Sequence, residues 1–300
     1  MADRRLQVFH AVAKHLSFTR AAEALFMTQP AVTFQIKQLE EQLDSRLFDR
    51  RHGGIALTAA GELVLDYAAK ILALSDEMEA RLAELSGEMR GTLLVGASTA
   101  IAEFLLPPVL GEFNARHPEV RTRLIVANSA AIENRVAEGS LDVGLVETAA
   151  GTAGVESEAC CDDELQVACA PDHPLAKERE VTPKALQEYD YISREPGSGT
   201  RAATDAYFAA AGIAPESLKT VMELGSLQAL KGVVGGGLGF AIVSRHACDK
   251  EQQLHTLRTI PLKPRLRRSL YLIYPQGRFR SRMAATFIDF VRHRLRETGQ

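Results

Sequence analysis

Residues 17–43 read SFTRAAEALFMTQPAVTFQIKQLEEQL and contain two short helical patterns on either side of a tight corner. The apolar residues of each pattern recur at spacings of three and four, so each predicted helix has one apolar stripe. The stripes consist of Phe18, Ala22 and Leu25 in the first helix and of Val32, Ile36, Leu39 and Leu43 in the second. Two such helices joined at a corner are typical of a helix-turn-helix.

The start of the second helix has the residues that a helix needs there. Thr28 stands at the N-cap position, where its hydroxyl is expected to satisfy a free amide, and Pro30 falls in the first turn, where a missing N–H is tolerated. The polar face opposite the stripe is then free to enter a major groove of DNA. The residues predicted to contact DNA from this region are Thr28, Gln29, Pro30, Thr33, Phe34 and Lys37. Any small helical hairpin shows similar stripes, so periodicity alone does not decide the function.

A basic turn between two short extended runs follows the second helix, at residues 49–58. Arg50 and Arg51 precede Gly53 and Gly54 in this turn. A glycine-containing hairpin beside a recognition helix indicates a wing. We predict that Arg50 and Arg51 contact phosphates, which positions a protein on DNA without reading its sequence.

The segment LQVFHAVAKHLSFTRAAEALFMTQPAVTFQIKQLEEQLDSRLFDRR, residues 6–51, resembles the winged helix-turn-helix of LysR-type transcriptional regulators. The remaining chain has the length and segment order of that family's effector domain, so the resemblance covers essentially all 300 residues. It implies an α + α/β fold with an N-terminal winged helix-turn-helix, a long linker helix and a C-terminal two-lobe α/β effector domain resembling periplasmic solute-binding proteins. The implied partners are double-stranded DNA with a dyad-symmetric operator, a small-molecule effector, RNA polymerase and further copies of the chain, assembled as a dimer of dimers.

Length and composition agree with a multidomain globular protein. A chain of 300 residues is too long for one ordinary domain, and 46% hydrophobic with 24% charged residues is a globular composition. No stretch is apolar enough to span a membrane and the N-terminus lacks a signal-peptide pattern, so we expect a cytoplasmic location. The four cysteines show no C-x-x-C spacing, and the adjacent Cys160 and Cys161 are interpreted as structural rather than as a redox switch.

The net charge of −3 conceals an uneven distribution along the chain. Residues 1–58 hold 8 Lys and Arg against 6 Asp and Glu, residues 59–260 hold 17 against 30, and residues 261–300 hold 10 against 2. Association with DNA depends on the local electrostatic field. A mildly basic head, residues 1–58, attached to an acidic body, residues 59–260, is therefore compatible with DNA binding. The basic C-terminus is interpreted as a solvated helix face, with a role in nucleic-acid binding as the alternative.

A long amphipathic helix is predicted after the wing, with apolar residues at spacings of three and four from Leu63 to Met89. Its seam is most simply covered by a second copy of the chain, and packing on its own domain is the alternative. The expected domains are therefore 1–58 for DNA binding, 59–90 for the linker and dimerisation helix, and 91–300 for effector binding. Within the last, we expect lobe I at 91–162 and 268–300 and lobe II at 163–267.

From Gly91 onward strands and helices alternate, which predicts a mostly parallel sheet with ligand sites at the carboxyl ends of its strands. Polar side chains stand at these ends and in a glycine-rich loop at residues 194–201, where free amides and a helix dipole attract anions. The predicted effector-binding residues are Ser98, Thr99, Asn128, Ser129, Glu147, Thr148, Ser198, Thr200 and Arg201. The alternative for the loop is a tight strand-to-helix turn with exposed hydroxyls.

These residues lead us to expect a small anion between the lobes. The carboxylate of Glu147 would repel an anion unless it points away or meets an amine, which keeps amino-acid-like effectors open. Within the family, GASTAIAEFLLP and REPGSGTR look most like regulators of sulfur assimilation or carbon fixation. That likeness makes sulfate, sulfite, a sulfur-bearing metabolite or a sugar phosphate the first candidates.

Signatures of enzymes and metal sites are missing from the sequence. There is no nucleophile elbow, no Walker loop and no metal-spaced histidine pair, and Gly235–Gly239 precedes a strand, whereas a dinucleotide loop opens a helix. We therefore expect no catalytic residue, no metal and no cofactor other than the effector. The main rival hypothesis is a solute-binding or transport receptor without DNA function, and a small-molecule enzyme is the second.

Overall fold

The computed structural model describes residues 3–51, 54–85, 89–277 and 279–298. Its contacts divide the chain into two compact units, residues 1–88 and residues 89–300, and each has its own core.

The N-terminal unit consists of three short helices, a two-stranded hairpin and one long helix. These are α1 (Arg4–His15), α2 (Phe18–Ala24), α3 (Gln29–Gln42), β1 (Phe48–Arg51), β2 (Gly54–Leu57) and α4 (Ala59–Leu85). The predicted stripes form much of its core, because Val32, Ile36 and Leu39 are all buried. Leu43 is an exception, since α3 ends at Gln42 and the side chain of Leu43 is 42% exposed at the C-cap.

The long helix α4 contributes one face to this core and leaves another uncovered. Ala68 is buried among the head residues, with Val64 and Leu65 packed beside it. The predicted seam lies on the other side, and its residues Leu63, Tyr67, Ile71, Leu74, Met78 and Leu82 are between 45% and 63% exposed. The structure describes α4 as far as Leu85. Met89 packs against the core of the C-terminal unit, so it does not belong to the seam in which we had predicted it.

The C-terminal unit is built on one eight-stranded sheet with the order β4-β3-β5-β10-β6-β9-β7-β8. The strands are β3 (Gly91–Ser98), β4 (Val120–Ala127), β5 (Val143–Val146), β6 (Val155–Cys169), β7 (Tyr191–Arg194), β8 (Thr220–Leu224), β9 (Phe240–Ser244) and β10 (Arg258–Pro275). The helices are α5 (Leu106–Arg116), α6 (Ser129–Glu138), α7 (Pro183–Leu186), α8 (Gly199–Ala210), α9 (Leu227–Gly235), α10 (Asp249–Gln253) and α11 (Arg282–Thr298). A single π-helical turn, Ile101–Leu105, precedes α5.

Two long antiparallel strands, β6 and β10, run through both halves of this sheet. The carboxyl half of β10 pairs with β5, which belongs to the first lobe, and the carboxyl half of β6 pairs with β9, which belongs to the second. The ladder between them is irregular between Pro261 and Leu266, near the middle of the pair. The chain thus crosses between the lobes twice, and α11 returns to pack on the first lobe.

The first lobe also reaches into the core of the second. Ala100 is buried in a cluster formed mainly by residues of β9 and α9, and Phe104 packs against the same cluster. Lys231 of α9 lies over the Phe104 ring, 4.9 Å from its centroid. Such a cation–π contact stabilises the association of the two lobes on this side of the cleft.

The adjacent cysteines lie in β6, where Cys161 pairs with Leu270 and Cys160 is the extra residue of a bulge. The Cys160 thiol is buried and donates to the Leu270 carbonyl oxygen at 3.2 Å. Hydrogen bonding to Cys160, together with burial, raises the pKa of the Cys161 thiol. Burial likewise raises the pKa of Cys169 to about 11 and that of Cys248 to about 12. These three thiols therefore stay protonated and unreactive near neutral pH.

Candidate functional site

Helix α3 presents its polar face to solvent while its apolar stripe holds it in the head. Phe34 is 56% exposed, and Pro30 and Lys37 are also exposed. The Gln29 amide nitrogen donates to the Thr33 hydroxyl oxygen at 2.9 Å, so these two side chains are held next to each other. The predicted contact residues of α3 thus form one accessible surface.

Thr28 occupies the predicted N-cap position, but its hydroxyl makes no capping hydrogen bond. The usual donors to an N-cap side chain are the second and third amides of the helix. Pro30 supplies no N–H at the second position, which removes one of the two donors. Thr28 is exposed, so its hydroxyl is accessible to a partner.

The predicted wing is an antiparallel hairpin in which Phe48 opposes Leu57 and Arg51 opposes Gly54. Glu40 of α3 is hydrogen-bonded to the start of the hairpin. One of its carboxylate oxygens accepts from the Leu47 amide at 2.7 Å and from the Phe48 amide at 3.3 Å. The hairpin is therefore fixed relative to the recognition helix. The structure describes the backbone of Arg50 and Arg51, and their side chains lie outside what it describes.

In the C-terminal unit, the N-terminus of α6 in the first lobe meets the N-terminus of α8 in the second, across the cleft between the lobes. The Ala130 amide donates to the Gly197 carbonyl oxygen at 3.2 Å, and the Asn128 side-chain amide donates to the Pro196 carbonyl oxygen at 3.2 Å. Gly197 has a φ of +83°, a conformation that glycine adopts without strain. Asn128 and Ser198 also cap α6 and α8, so both polar side chains have local hydrogen-bond partners.

A buried arginine on β10 joins the two lobes at the floor of this cleft. The Arg268 guanidinium donates to one Asp163 oxygen at 2.9 and 2.8 Å, to the Thr200 hydroxyl at 3.0 Å and to the Glu147 carboxylate at 3.3 Å. The second oxygen of Asp163 accepts from the Ser244 hydroxyl at 2.7 Å. One guanidinium therefore faces two carboxylates, and all three side chains are no more than 6% exposed.

Arg201, which we predicted as the cation of the site, makes its contacts within the second lobe. Its guanidinium lies 2.6 Å from a Glu223 carboxylate oxygen and donates to the Arg194 carbonyl oxygen at 3.1 Å. It also lies 3.7 Å from Asp205. Arg268, by contrast, contacts Glu147 of the first lobe and Thr200 of the second.

The remaining predicted residues lie at or just after the carboxyl ends of β3, β4 and β5. Ser98 is 2% exposed, and within the described part of the chain its hydroxyl oxygen has no hydrogen-bond partner. The Ser129 hydroxyl oxygen accepts from the Glu147 amide at 3.3 Å. Thr99 and Thr148 are half-buried. A buried hydroxyl without a partner is unfavourable, and a bound ligand would satisfy it.

A cavity of about 340 Å³ is lined in part by Arg268. Its lining includes Ala100 and Phe104 of the first lobe, Ser244 and His246 of the second, and Asp163 and Arg268 between them. This volume is within the range of small-ligand pockets. None of the nine predicted effector residues lines this cavity.

We missed Arg268 in the sequence, although a signal for it was present. Leu266, Arg268, Leu270 and Leu272 alternate with more exposed residues along β10, so the arginine occupies an inward position of a buried strand. A charged residue at such a position needs buried partners, and this makes it a candidate for a functional site.

Among the described residues no group of three His, Cys, Asp or Glu is placed to hold a metal ion. In the same part of the chain, no helix has both the length and the apolar character needed to cross a membrane.

Two family models together cover nearly the whole chain. Residues 4–62 match "Bacterial regulatory helix-turn-helix protein, lysR family", and residues 86–296 match "LysR substrate binding domain". The RuBisCO operon transcriptional regulator of Allochromatium vinosum is 36% identical over 290 residues, which are 96% of this chain and 94% of that protein.

Solved structures agree with this assignment. The CcmR regulatory domain of Synechocystis PCC6803 in complex with 2-PG superposes with a TM-score of 0.64 at 27% identity, covering 69% of this chain and 98% of that one. Full-length CbnR complexed with its target DNA superposes with a TM-score of 0.67 at 22% identity, covering 98% of this chain and 99% of that one. The predicted fold class is confirmed: a helix-turn-helix head and a two-lobe α/β effector domain. The chain belongs to the LysR family of DNA-binding transcriptional regulators, whose effector domain binds small molecules.

Proposed function

We propose that this regulator controls carbon-assimilation genes in response to a small anion bound at Arg268. The observation that carries the anion is the buried guanidinium of Arg268, which lines the cavity between the lobes. The likeness to the Allochromatium vinosum RuBisCO operon regulator supports carbon fixation over sulfur assimilation. The complex of CcmR with 2-PG supports 2-PG or a sugar phosphate as the first candidates.

The effector site that we propose combines the predicted hydroxyl side chains with Arg268, which we did not predict from the sequence. Arg268 supplies the charge, and the Thr200 hydroxyl oxygen accepts a hydrogen bond from it at 3.0 Å. We also keep Ser98, whose buried hydroxyl has no hydrogen-bond partner among the described residues, and Thr99, Asn128, Ser129, Thr148 and Ser198 as proposed effector contacts. Arg201 is left out of the proposed site, because Glu223 and the Arg194 carbonyl occupy its guanidinium.

For the head, we propose that Thr28, Gln29, Pro30, Thr33, Phe34 and Lys37 contact bases and nearby sugars in a major groove. Arg50 and Arg51 would hold phosphates from the wing. Two heads placed about one turn of DNA apart would read a dyad-symmetric operator. Such pairing follows if the exposed seam of α4 is covered by a second copy, and two pairs would form the dimer of dimers. We propose RNA polymerase as a further partner. We also propose that the protein acts in the cytoplasm.

Calorimetric titration of 2-PG and of a sugar phosphate into the full-length protein tests the anion site. We expect Arg268→Gln to abolish binding, because a buried anion loses its counter-charge. Thr200→Ala should weaken binding by roughly 3-fold to 10-fold, the effect of one lost hydrogen bond. Arg201→Ala is the matched control and should keep the wild-type affinity. Binding that survives Arg268→Gln unchanged would place the effector elsewhere.

The gene targets are tested separately, by sequencing the genomic fragments that the purified protein retains. Enrichment of promoters of carbon-fixation genes is the expected result. Enrichment of sulfur-assimilation promoters instead would refute the proposed pathway while leaving the DNA-binding function intact.

A further inference from the structure

Glu147 places its own carboxylate beside Arg268, where an effector anion is proposed to bind. We propose that Glu147 is a tethered competitor of the effector: it holds the two lobes together in the free protein, and the anion displaces it from Arg268. This inference rests on the anion site of the proposed function. It adds the residue that sets the affinity of that site and links binding to lobe movement.

The two carboxylates at Arg268 are held unequally. Asp163 receives two hydrogen bonds, at 2.8 and 2.9 Å, and a third from Ser244. It also stands opposite Arg268 in the register of β6 and β10, so the backbone ladder keeps the pair together. Glu147 receives one bond from Arg268, at 3.3 Å. Asp163 is therefore the permanent counter-ion, and Glu147 is the partner that can be exchanged.

The charges favour such an exchange. Two buried carboxylates share one guanidinium, and a buried charge without full compensation is unfavourable. If an oxyanion takes the place of Glu147, the number of anionic partners of Arg268 stays the same. The Glu147 side chain then moves toward solvent, where its charge is hydrated. The effector thus needs a negative charge but no special shape to compete at this point.

The position of Glu147 couples this exchange to the lobes. Glu147 follows β5 in the first lobe, and it packs against Gly199 at the N-terminus of α8 in the second. A Cβ added at Gly199 would lie 2.5 Å from the Glu147 Cβ and 2.8 Å from its carboxylate oxygen. The Ala130–Gly197 hydrogen bond joins the same two helix ends. Displacement of Glu147 therefore loosens the contact between α6 and α8.

The test uses sodium sulfate as a generic oxyanion and 2-PG as a second probe, titrated into the full-length protein by calorimetry. Glu147→Gln keeps the shape of the side chain and removes its charge. We expect it to bind the probes about 10-fold more tightly than the wild type, a coupling of the size common in regulated proteins. Glu138→Gln, an exposed carboxylate at the far end of α6, is the matched control and should bind like the wild type. Adding Arg268→Gln to Glu147→Gln should abolish the gain.

A second measurement needs no ligand. Hydrogen exchange of the Ala130 amide should be faster in ligand-free Glu147→Gln than in the wild type, because the contact between the helix ends is weakened. If Glu147→Gln does not fold, Glu147→Asp, which is one methylene shorter, should show the same two changes at smaller amplitude.

The outcomes separate this inference from the proposed function. Wild-type affinity in Glu147→Gln, with binding still lost in Arg268→Gln, overturns the competitor and leaves the anion site standing. If Glu147→Gln binds neither probe, the competitor role is also overturned, because removal of a competing charge should strengthen binding. Binding that is indifferent to Arg268→Gln removes the proposed site itself.

Discussion

At the scale of single residues, the two functional regions use their side chains in different ways. Phe34 and Lys37 of the head are exposed, whereas Arg268 and Asp163 of the cleft are buried and paired with each other. Substitutions in the head should therefore change DNA binding without changing stability. Substitutions in the cleft should affect both stability and effector binding.

The proposed division of labour in the head predicts two kinds of defect. Phe34→Ala should change the preferred operator sequence, because an apolar contact with a base discriminates by about 1–3 kcal/mol. Arg50→Ala should weaken binding to all sequences alike and lower the salt dependence by about one unit of slope. Selection from randomised DNA, repeated at several salt concentrations, measures both. An equal, sequence-independent loss in the two variants would contradict the assignment.

The buried cluster predicts a large difference between two adjacent aspartates. Asp163→Asn removes the permanent counter-ion of Arg268 and should destabilise the protein by about 3 kcal/mol. Asp162→Asn changes the same charge at an exposed position that contacts the Ser269 hydroxyl, and should cost less than about 1 kcal/mol. Urea unfolding followed by circular dichroism provides the comparison, since the chain has no tryptophan. Similar losses in both variants would mean that Asp163 is not the main counter-ion.

At the scale of secondary-structure elements, α4 has two apolar faces, and a single copy of the chain buries only one of these faces. Ala68 and its neighbours pack on the head, while Leu74 and Leu82 are 63% and 58% exposed. A helix with so much uncovered apolar surface indicates an interface.

Charges placed in this seam should break the assembly. Leu74→Asp with Leu82→Asp buries carboxylates in an apolar contact, so light scattering should show particles of half the wild-type mass or less. Ala69→Asp is the control, since it introduces a carboxylate about 140° around the helix from both Leu74 and Leu82. If the double variant and Ala69→Asp both keep the full mass, the seam is not the contact between copies.

The elements were easier to predict from the sequence than the site was. The stripe of Val32, Ile36 and Leu39 depends on neighbours within one helix, so its spacing in the sequence is enough to predict it. The contacts of Arg268 depend on residues 68, 105 and 121 positions away, and no local pattern relates them. Leu43 and Met89 were misassigned because a repeat does not show where its helix ends.

At the scale of the whole molecule, the chain combines a mildly basic head with an acidic middle section. Residues 1–58 carry 8 Lys and Arg against 6 Asp and Glu, and residues 59–260 carry 17 against 30. The attraction for DNA is therefore concentrated in the head, and an effector anion must approach Arg268 through an acidic environment. Because that environment repels anions, the buried guanidinium is the main source of attraction for the effector.

A regulator of this kind must couple its two binding events, and the coupling must be reciprocal. If 2-PG changes the affinity for the operator by some factor, the operator must change the affinity for 2-PG by the same factor, and about 5-fold to 150-fold is typical. We expect such a shift in the full-length protein when an operator fragment, chosen from the retained genomic DNA, is titrated with and without 2-PG. Chloride at equal ionic strength is the necessary control, because added salt alone weakens DNA binding. Arg268→Gln should keep the chloride effect and lose the effect of 2-PG. Anion binding at Arg268 that leaves operator affinity unchanged would show that the cleft binds a ligand without regulating the head.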